Sequence, residues 1–472
     1  MMPRFGVWAA ALLLTGCMVG PDYRAQPPAT PAAWTAEAAP AADAERWWTA
    51  FNDGTLDRLV TAARERNLDL RVAQARLREV RAQLGVVRSR LAPEIDAEGN
   101  VTRRELSESI QPGGGTISTT WQAGFDATWE IDLFGGTRRA VESAGAQADE
   151  AEYQVGDVLV SITAETVAAY LDLRAADERL AALAEVIAAQ DRLRDLVARR
   201  LAAGLADQSA LAQAEADLAG ARTREPQLHV ARAQAQHRLA LLVGDLPTPA
   251  GDDPAHLLST PDLRRAAALP DPTASLAPGL PSALLLRRPD LRAAERALAA
   301  ASAGVGVARA DYYPRFSLTG AFGWTGGDTS DLFSAANRGW SISPAVRWPL
   351  FTMGRIASQV AAADARLEQA GLRYEQAVLR AAAEVEDALV RTARGRDRVA
   401  AAAAALAARQ RATDLVRRRF ERGLNDVSAV LEQERLFGDA RAQLVDARAE
   451  QGLALTALAK ALGGGWQPPE NS

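Results

Sequence analysis

The three histidines are the first side chains to consider as catalytic or metal-binding groups. His229 and His237 lie eight residues apart on a predicted helix, and no acidic pair brackets them at the spacing of metal ligands. The triplet 113–115 is Gly-Gly-Gly, but it lacks the Gly-Lys-Ser or Gly-Lys-Thr that completes a phosphate-binding loop. No serine, aspartate and histidine form a recognisable nucleophilic setting. The sequence therefore predicts a protein that is not an enzyme, with no cofactor and no metal site.

The single cysteine, Cys17, points to lipid chemistry instead. Arg4 and the apolar residues 7–14 have the composition of an export signal, and Thr15-Gly16 places a small residue before the cysteine, as in a bacterial lipobox. We therefore predict that the signal peptide 1–16 is removed and that Cys17 receives fatty acyl chains such as palmitate. The alternative is an ordinary signal peptide with an incidental cysteine.

The residues after the cysteine indicate where the lipid anchor holds the chain. Residues 17–50 are rich in proline and alanine, so we predict a lipid-anchored, extended tether rather than a domain. Residue 18 is Met, not the Asp that typically retains bacterial lipoproteins at the inner membrane. The predicted location is therefore the bacterial outer membrane, with the chain extending into the periplasm.

Charge and hydropathy exclude two other classes of protein. The chain has 54 basic and 59 acidic residues with interspersed signs, which makes it a poor binder of nucleic acid. The longest apolar run after the cysteine, near 399–408, has about ten residues, and a membrane-spanning helix needs about twice as many. A polytopic helical membrane protein is therefore excluded.

The second half of the sequence repeats the first. Leu70-Arg71 matches Leu291-Arg292 at an offset of 221 residues, and from Trp121, which matches Trp340, the offset is 219. The predicted organisation is a first repeat, a linker, a second repeat and a C-terminal tail, at 51–245, 246–280, 281–463 and 464–472. This internal twofold repeat predicts one duplicated architecture rather than several domains.

Stretches that are rich in alanine, leucine, glutamate and arginine predict long helices. The longest are 138–201 and 355–420, and the first would span about 96 Å. Return helices and shorter helices before the strands are predicted at 207–243, 426–462, 69–91 and 289–311. Two short helices stacked end to end would match one long helix, which suits an antiparallel helical tube. Pro226 should kink the first return helix.

Four segments alternate strictly between apolar and polar residues, as strands with two different faces do. They are about 94–104, 120–134, 315–325 and 340–351. Tryptophans lie near the ends of these segments, at Trp121, Trp129, Trp324, Trp340 and Trp348. The pattern is typical of a transmembrane β-barrel with aromatic residues at the membrane interface. The alternative is a soluble antiparallel sheet with one solvated face.

Four strands are too few for a barrel within one chain. An open sheet edge cannot lie in lipid, because its backbone groups would have no hydrogen-bond partners. The smallest transmembrane barrels have about eight strands, so at least two chains are required. Three chains would supply twelve strands and six copies of the repeat.

Several short motifs occur together along the chain. They are Cys17-Met18-Val19-Gly20-Pro21-Asp22-Tyr23, Trp129-Glu130-Ile131-Asp132-Leu133-Phe134-Gly135, Arg287-Arg288-Pro289-Asp290-Leu291, Pro314-Arg315-Phe316 and two Arg-x-x-x-Gly-Leu-x-Asp turns. With them the mature chain resembles the TolC-like outer membrane factors of the lipoprotein efflux branch, the OprM/NodT type. The resemblance implies a mainly α fold with a small β part. In it, a trimeric transmembrane β-barrel with four strands per chain continues into a long periplasmic α-helical coiled-coil barrel.

The resemblance also implies a function and partners. Members of this family are outer-membrane exit ducts of tripartite efflux systems, which passively conduct small molecules such as drugs and toxic compounds. The implied partners are two further copies of the chain in a homotrimer, a periplasmic membrane-fusion adaptor, an inner-membrane transporter and outer-membrane lipid. Two alternatives stay open, namely the exit channel of a type I protein secretion system and a non-channel periplasmic scaffold lipoprotein.

Two groups of site residues follow from the resemblance. The turns resemble the family's adaptor-docking tips, which implies docking at Gly204, Leu205, Asp207, Gly423, Leu424 and Asp426. Glu432 and Arg435 match the acidic and arginine positions of the family's periplasmic aperture, where three carboxylates would form a cation-selective constriction. Gln213 occupies the position of Glu432 in the first repeat, so the acidic ring would be threefold. The alternatives are that the glycines only end helices and that Glu432 lies on a solvated helix face.

Overall fold

A computed structural model describes residues 18–25, 34, 45–105, 117–246, 263, 265–272 and 287–467. The predicted lipidation site Cys17, the predicted signal peptide, most of the predicted linker and residues 468–472 lie outside the described residues. Over the described ranges the secondary structure is mainly helical with one small antiparallel sheet, which confirms the coarse fold class.

Eight α-helices and four β-strands are present in these ranges. The helices are α1 (Gly54–Arg66), α2 (Leu68–Ser89), α3 (Gly136–Ala202), α4 (Gln208–Arg222), α5 (Glu225–Val243), α6 (Pro289–Ala310), α7 (Arg355–Glu421) and α8 (Val427–Ala461). The strands are β1 (Glu94–Glu105), β2 (Ile117–Ile131), β3 (Arg315–Gly326) and β4 (Arg338–Arg347). Short 3-10 helices lie at Trp47–Phe51 and Ala335–Asn337. No helix in the described part of the chain is long and apolar enough to cross a membrane.

The same order of elements occurs in both halves of the sequence. A short helix precedes two strands, a helix of 67 residues follows them, and a helical return segment ends each half. The return segment is the single helix α8 in the second half, but it is the pair α4 and α5 in the first. The duplicated sequence therefore folds into matching elements, with one break that the second half lacks.

The break between α4 and α5 lies just before Pro226, where the sequence predicts only a kink. Proline cannot donate a backbone hydrogen bond, and its ring collides with the carbonyl group four residues earlier. That carbonyl belongs to Arg222, the last residue of α4. Thr223 and Arg224 form a turn, and α5 begins at Glu225 with the proline in its first turn, where the missing donor is tolerated.

The described residues group into two compact units, and neither unit coincides with a sequence repeat. The first unit lies within Met1–Pro27, Ala75–Glu152 and Ala293–Gln376. The second unit lies within Pro28–Gln74, Tyr153–Arg292 and Ala377–Ser472. Each unit therefore takes segments from both halves of the sequence, and the helices α3 and α7 contribute residues to both units.

The sheet belongs to the first unit and has the order β1-β2-β3-β4, with each neighbouring pair antiparallel. One row across all four strands shows its register. Ile95 lies opposite Ala127, Ala127 lies opposite Gly320, and Gly320 lies opposite Ile342. Because directly opposed residues point to the same face, the alternation in each strand adds up to two chemically different faces.

Two strands end earlier than the sequence predicts. β2 begins at residue 117 and ends at Ile131 rather than at 134, because Leu133 donates its N–H to the carbonyl of Ile131 at 3.0 Å and the chain turns. β4 ends at Arg347 rather than at 351. Period-two alternation continues past both ends, so alternation alone does not mark where the hydrogen-bonded ladder stops.

The core of the second unit positions the middle part of α3. The hydroxyl of Tyr170 in α3 donates to Asp53, whose carboxylate also caps the first turn of α1. Asn67, at the end of α1, donates to the carbonyl of Leu242 in α5 at 2.9 Å. Apolar residues that are almost completely buried in this unit include Trp47, Leu56, Leu59, Leu171 and Leu239.

Candidate functional site

One face of the sheet carries apolar side chains on all four strands, and this face is exposed in the single chain. Its larger members are Ile95, Val101, Phe125, Trp129, Leu318, Phe322, Trp324, Trp340, Ile342 and Val346. Trp340 is 74% exposed and Ile342 is 65% exposed, although such side chains are usually buried. A contiguous apolar surface of this kind marks a region that contacts lipid or another protein surface.

The opposite face of the sheet is polar, and its carboxylates lie on β1 and β2. Asp96 on β1 lies directly opposite Asp126 on β2, and Glu94, Glu98 and Glu130 share the same face. Two carboxylates in direct opposition repel one another, and water screens such a pair far better than lipid or protein does. The sheet is therefore amphipathic, with one face suited to water and one suited to an apolar medium.

The predicted aromatic residues all lie at or next to this sheet. Trp121, Trp324 and Trp340 lie toward one end of the apolar face. Trp129 and Trp348 lie toward the other end, and the early end of β4 places Trp348 just outside the strand. The indole N–H of Trp129 donates to the carbonyl of residue 91 at 3.2 Å, and that of Trp348 donates to the carbonyl of residue 312 at 3.0 Å. These two repeat-equivalent indoles thus fix the turn before β1 and the turn before β3.

The segment after the predicted lipidation site is anchored to the end of the same sheet. Val19 donates its N–H to the carbonyl of Phe134, three residues after the end of β2, at 3.1 Å. Arg139 of α3 is 1% exposed, and it donates to the Val19 carbonyl at 3.2 Å and to Asp22 at 2.6 Å. Tyr23 donates its hydroxyl to Glu295 of α6. Residues 18–23 are therefore a fixed part of the first unit.

Sequence reasoning places this segment in a tether and misses Arg139 and Glu295. The only available signal was that Asp22 and Tyr23 belong to a motif of the family resemblance. A buried arginine requires a carboxylate partner, because removing its charge from water is costly unless the charge is paired. Asp22 and Glu142 both pair with Arg139, and the contact with Asp22 gives the motif a physical reason.

The two predicted tips, 200–207 and 419–426, have the same backbone geometry. Gly204 and Gly423 have φ angles of +72° and +73°, in the left-handed region that glycine adopts readily. The N–H of Leu205 binds the carbonyl five residues earlier at 2.8 Å, and the N–H of Leu424 does so at 2.9 Å. This hydrogen bond is typical of a helix that ends in a Schellman motif. The prediction that these glycines end helices is confirmed.

An aspartate restarts the helix after each tip. The carboxylate of Asp207 accepts from the N–H of Ala210 at 2.8 Å, and that of Asp426 accepts from the N–H of Val427 at 2.6 Å. Both are N-caps. Leu205 is 74% exposed and Leu424 is 63% exposed, so each tip presents an apolar side chain to solvent.

A single buried cluster joins the helices of both tips. Its members are Leu193, Val197, Ala214, Phe420, Val427, Val430 and Leu431, which come from α3, α4, α7 and α8. The guanidinium carbon of Arg200 lies 4.3 Å from the ring centre of Phe420, a cation–π distance. The tips are therefore neighbours, and together they form one paired surface.

Glu432 lies on α8, close to this cluster, and its side chain is 52% exposed. Arg435 donates to both of its carboxylate oxygens, at 2.8 and 3.0 Å, and also donates to Asp439 at 3.0 Å. Hydrogen bonds from Arg435 hold the pKa of Glu432 below its ordinary value. Gln213, the equivalent residue in the first repeat, donates to Asp217 at 3.3 Å. Only the second repeat therefore presents a carboxylate at this position.

A metal site is not evident in the part of the chain that the structure describes. No group of three or more His, Cys, Asp or Glu side chains in those ranges is arranged to hold a metal ion. His229 lies 3.8 Å from Glu225 one helical turn earlier, and both side chains are more than half exposed. This contact is an ordinary pair on the surface of α5.

Comparisons with known proteins give one consistent result. The sequence model of one family, described as outer membrane efflux protein, matches residues 59–245 and 280–464, more than half of the chain. The outer membrane protein OprJ of Pseudomonas aeruginosa is 31% identical over 98% of this chain and 96% of its own length. The cation efflux system protein CusC of Escherichia coli is 30% identical over 98% of both proteins.

Solved structures show the same similarity in three dimensions. The outer-membrane channel OprN superimposes with a TM-score of 0.87 at 34% identity, covering 96% of this chain and all of that one. The MtrE outer membrane channel of Neisseria gonorrhoeae, in its open state, gives a TM-score of 0.83 at 28% identity and covers 95% and 98% of the two chains. The similarity therefore extends over the sheet and the helices alike.

Proposed function

Because this chain belongs to the outer membrane efflux protein family, we propose that it is the outer-membrane exit duct of a tripartite efflux system. The observation that carries this proposal is the four-stranded sheet, with its exposed apolar face and its polar face. Lipid would cover the apolar face, and a water-filled lumen would meet the polar one. The chain would conduct small molecules passively and perform no catalysis.

The edges of the sheet support assembly into a homotrimer. β1 and β4 each pair on one side only among the described strands, so each leaves a row of backbone donors and acceptors unpaired. In lipid these groups require partners, and a closed barrel supplies them. Three copies, each placing β4 beside β1 of its neighbour, would form a barrel of twelve strands. The helices would continue from it as a periplasmic coiled-coil barrel.

The N-terminal segment supports lipid anchoring at Cys17. Met18 is the next residue, and Val19 is hydrogen-bonded to Phe134 at the end of β2. Acyl chains on Cys17 would therefore enter the bilayer beside the strand ends that the barrel places at the membrane surface. The anchor and the barrel would hold the chain at the outer membrane together.

Glu432 is our proposed aperture residue and Arg435 its partner. Three copies of Glu432, one from each chain, would place three carboxylates around the lumen, and Arg435 would fix their orientation through its two hydrogen bonds. A ring of carboxylates attracts cations and raises their local concentration. The aperture would therefore prefer cations and would bind divalent cations.

The paired tips are the proposed docking surface for a periplasmic adaptor. Leu205 and Leu424 are exposed there, on turns fixed by Gly204, Gly423, Asp207 and Asp426. A rigid turn that presents an apolar side chain binds a partner with little loss of conformational entropy. An inner-membrane transporter, acting through the adaptor, would drive transport.

Relatives of this chain export several classes of small molecule. They include a toluene efflux protein and an antibiotic efflux protein of Pseudomonas putida and the cation efflux protein CusC. We propose that this chain also conducts small toxic compounds and that the transporter selects among them. The names of these relatives favour efflux over the secretion of proteins.

Membrane extraction of a variant without the lipid anchor tests the proposal. The Cys17→Ala chain, exported behind a cleavable signal peptide, should stay in the outer-membrane fraction after an alkaline carbonate wash. It should also migrate as a trimer after chemical crosslinking. Release of this variant into the wash, with the lipidated chain retained, would instead indicate a periplasmic scaffold held by its lipid alone.

A further inference from the structure

A cavity in the second unit lies among three helical segments near Glu432. It has a volume of about 400 Å³ and is bounded by α3, by the junction of α4 and α5, and by α8. Leu183, Val186 and Leu228 form its apolar walls. This volume is within the range of small-molecule sites, which are mostly apolar and have a few directed polar groups. The break before Pro226 lies next to the cavity.

Gln190 of α3 is the polar group that sets this cavity apart. The residue lines the cavity and is only 5% exposed. Its Oε1 atom accepts no hydrogen bond from any residue that the structure describes. Buried amides are almost always hydrogen-bonded, because an unpaired buried acceptor is costly. An acceptor without a partner in a cavity wall indicates a site for a hydrogen-bond donor.

Asp217 of α4 adds a negative charge to the lining of the same cavity. Leu193 of α3 and Ala214 of α4 belong to one buried cluster, so the two helices that carry Gln190 and Asp217 pack in the same region. Asp217 accepts from Gln213 at 3.3 Å and forms no ion pair with a described residue.

The arginines that line the cavity are already paired. The pairs, with their shortest N–O distances, are Arg179–Asp446 at 2.6 Å, Arg224–Asp439 at 3.3 Å and Arg435–Glu432 at 2.8 Å. Their positive charges are therefore balanced by carboxylates. Asp217 is the lining carboxylate that forms no ion pair with a described residue, and its negative charge also acts on Arg435.

We propose that this cavity binds an amphipathic organic amine. Its ammonium group donates hydrogen bonds to Gln190 Oε1 and to Asp217, and its hydrocarbon part packs against Leu183, Val186 and Leu228. The site lies between helices of one chain, and it does not depend on the chain being a duct. An occupant would contact Arg435, the partner of Glu432.

Isothermal titration calorimetry with 1-naphthylmethylamine tests the proposal on the full-length protein in detergent. We expect saturable binding at one site per chain. Gln190→Leu and Asp217→Asn should each weaken the affinity about tenfold, as expected for the loss of one hydrogen bond to a charged group. The uncharged alcohol 1-naphthylmethanol should lose less affinity than the amine on Asp217→Asn, because it has no ammonium charge to pair with the carboxylate.

A matched pair of substitutions tests whether the amine binds in this cavity or elsewhere on the surface. Ala182 lines the cavity and is buried, whereas its neighbour Ala181 is exposed. Ala182→Leu should abolish binding by filling the cavity, and Ala181→Leu should leave it unchanged. Absence of saturable binding to the wild-type protein, or equal affinity in wild type and Gln190→Leu, would overturn the proposal. If Ala182→Leu fails to fold, Gln190→Leu decides the question, since it replaces an unpartnered amide with an apolar side chain of similar size.

Discussion

The two return segments begin alike and then diverge. Each follows a tip with a left-handed glycine and an aspartate cap. In the first half the helix stops after 15 residues and a second helix of 19 follows, whereas α8 continues for 35 residues. Pro226 corresponds to Val445 at the repeat offset of 219, and Val445 is 2% exposed. The first return segment thus has a proline at the position of its break, and the continuous helix α8 has a valine there.

The same comparison extends to the charged residues. Glu432 and Arg435 form an ion pair on α8, whereas the equivalent positions on α4 hold Gln213 and Ala216. The backbone geometry of the tips is therefore duplicated, but the charge at the proposed aperture is not. The repeated part of the sequence builds the scaffold, and the positions that differ carry the proposed aperture charge and the cavity.

The largest expected effect comes from giving α8 the break that the first return segment has. Val445→Pro should remove one helical hydrogen bond, introduce a steric clash and disturb a buried position, which costs about 3 kcal/mol or more. Circular dichroism in detergent should show a clearly lower melting temperature. Pro226→Ala is the matched control and should change the melting temperature little. A Val445→Pro protein as stable as wild type would mean that α8 tolerates the break.

A smaller effect is expected in the pH dependence of the proposed aperture. Arg435 lowers the pKa of Glu432, so the carboxylate stays charged as the pH falls through the ordinary range of glutamate and is protonated only below it. Block of the channel current by Mg²⁺ should therefore persist to low pH in the wild-type protein.

Arg435→Gln should shift the loss of Mg²⁺ block to a higher pH, because the depressed pKa returns toward its ordinary value. Arg224→Gln is the matched control, since Arg224 forms an ion pair with Asp439 but with neither Glu432 nor Arg435. Identical midpoints in the wild-type and Arg435→Gln channels would show that the ion pair does not control the charge at the aperture.

The smallest expected effect is the same at both tips. A Cβ atom at Gly204 or Gly423 would meet nothing within 4 Å, so only the positive φ angle opposes an alanine. Gly204→Ala and Gly423→Ala should each destabilise the protein by roughly 1 to 2 kcal/mol. Thermal melts of the two variants should agree. A much larger loss of stability at one tip would show that the two duplicated turns contribute unequally to the stability of the protein.

Local signals in the sequence predict most of the scaffold. The alternation of apolar and polar residues indicates all four strands, and glycine followed by aspartate locates both tips. These patterns work because each reflects a requirement of the backbone itself. The ends of β2 and β4 are mispredicted, because alternation continues through Leu133 and Leu350 after the hydrogen-bonded ladder has stopped.

Contacts between distant parts of the sequence could not be predicted in the same way. Arg139 binds Asp22 across more than one hundred residues, and the cavity has both Gln190 and Asp217 in its lining because α3 and α4 pack together. Neither arrangement leaves a periodic pattern in one segment. Both depend on tertiary packing, so the fixed N-terminal segment and the cavity emerge only from the structure.

Single-channel recording in planar bilayers tests most directly whether copies of this chain form a duct with its aperture at Glu432. Wild-type protein should give discrete current steps. Glu432→Ala should raise the conductance or weaken the block by divalent cations, whereas Gln213→Ala should leave both unchanged. Folded protein that gives no current steps, or Glu432→Ala channels that match wild type in both conductance and block, would contradict the proposed duct and its aperture.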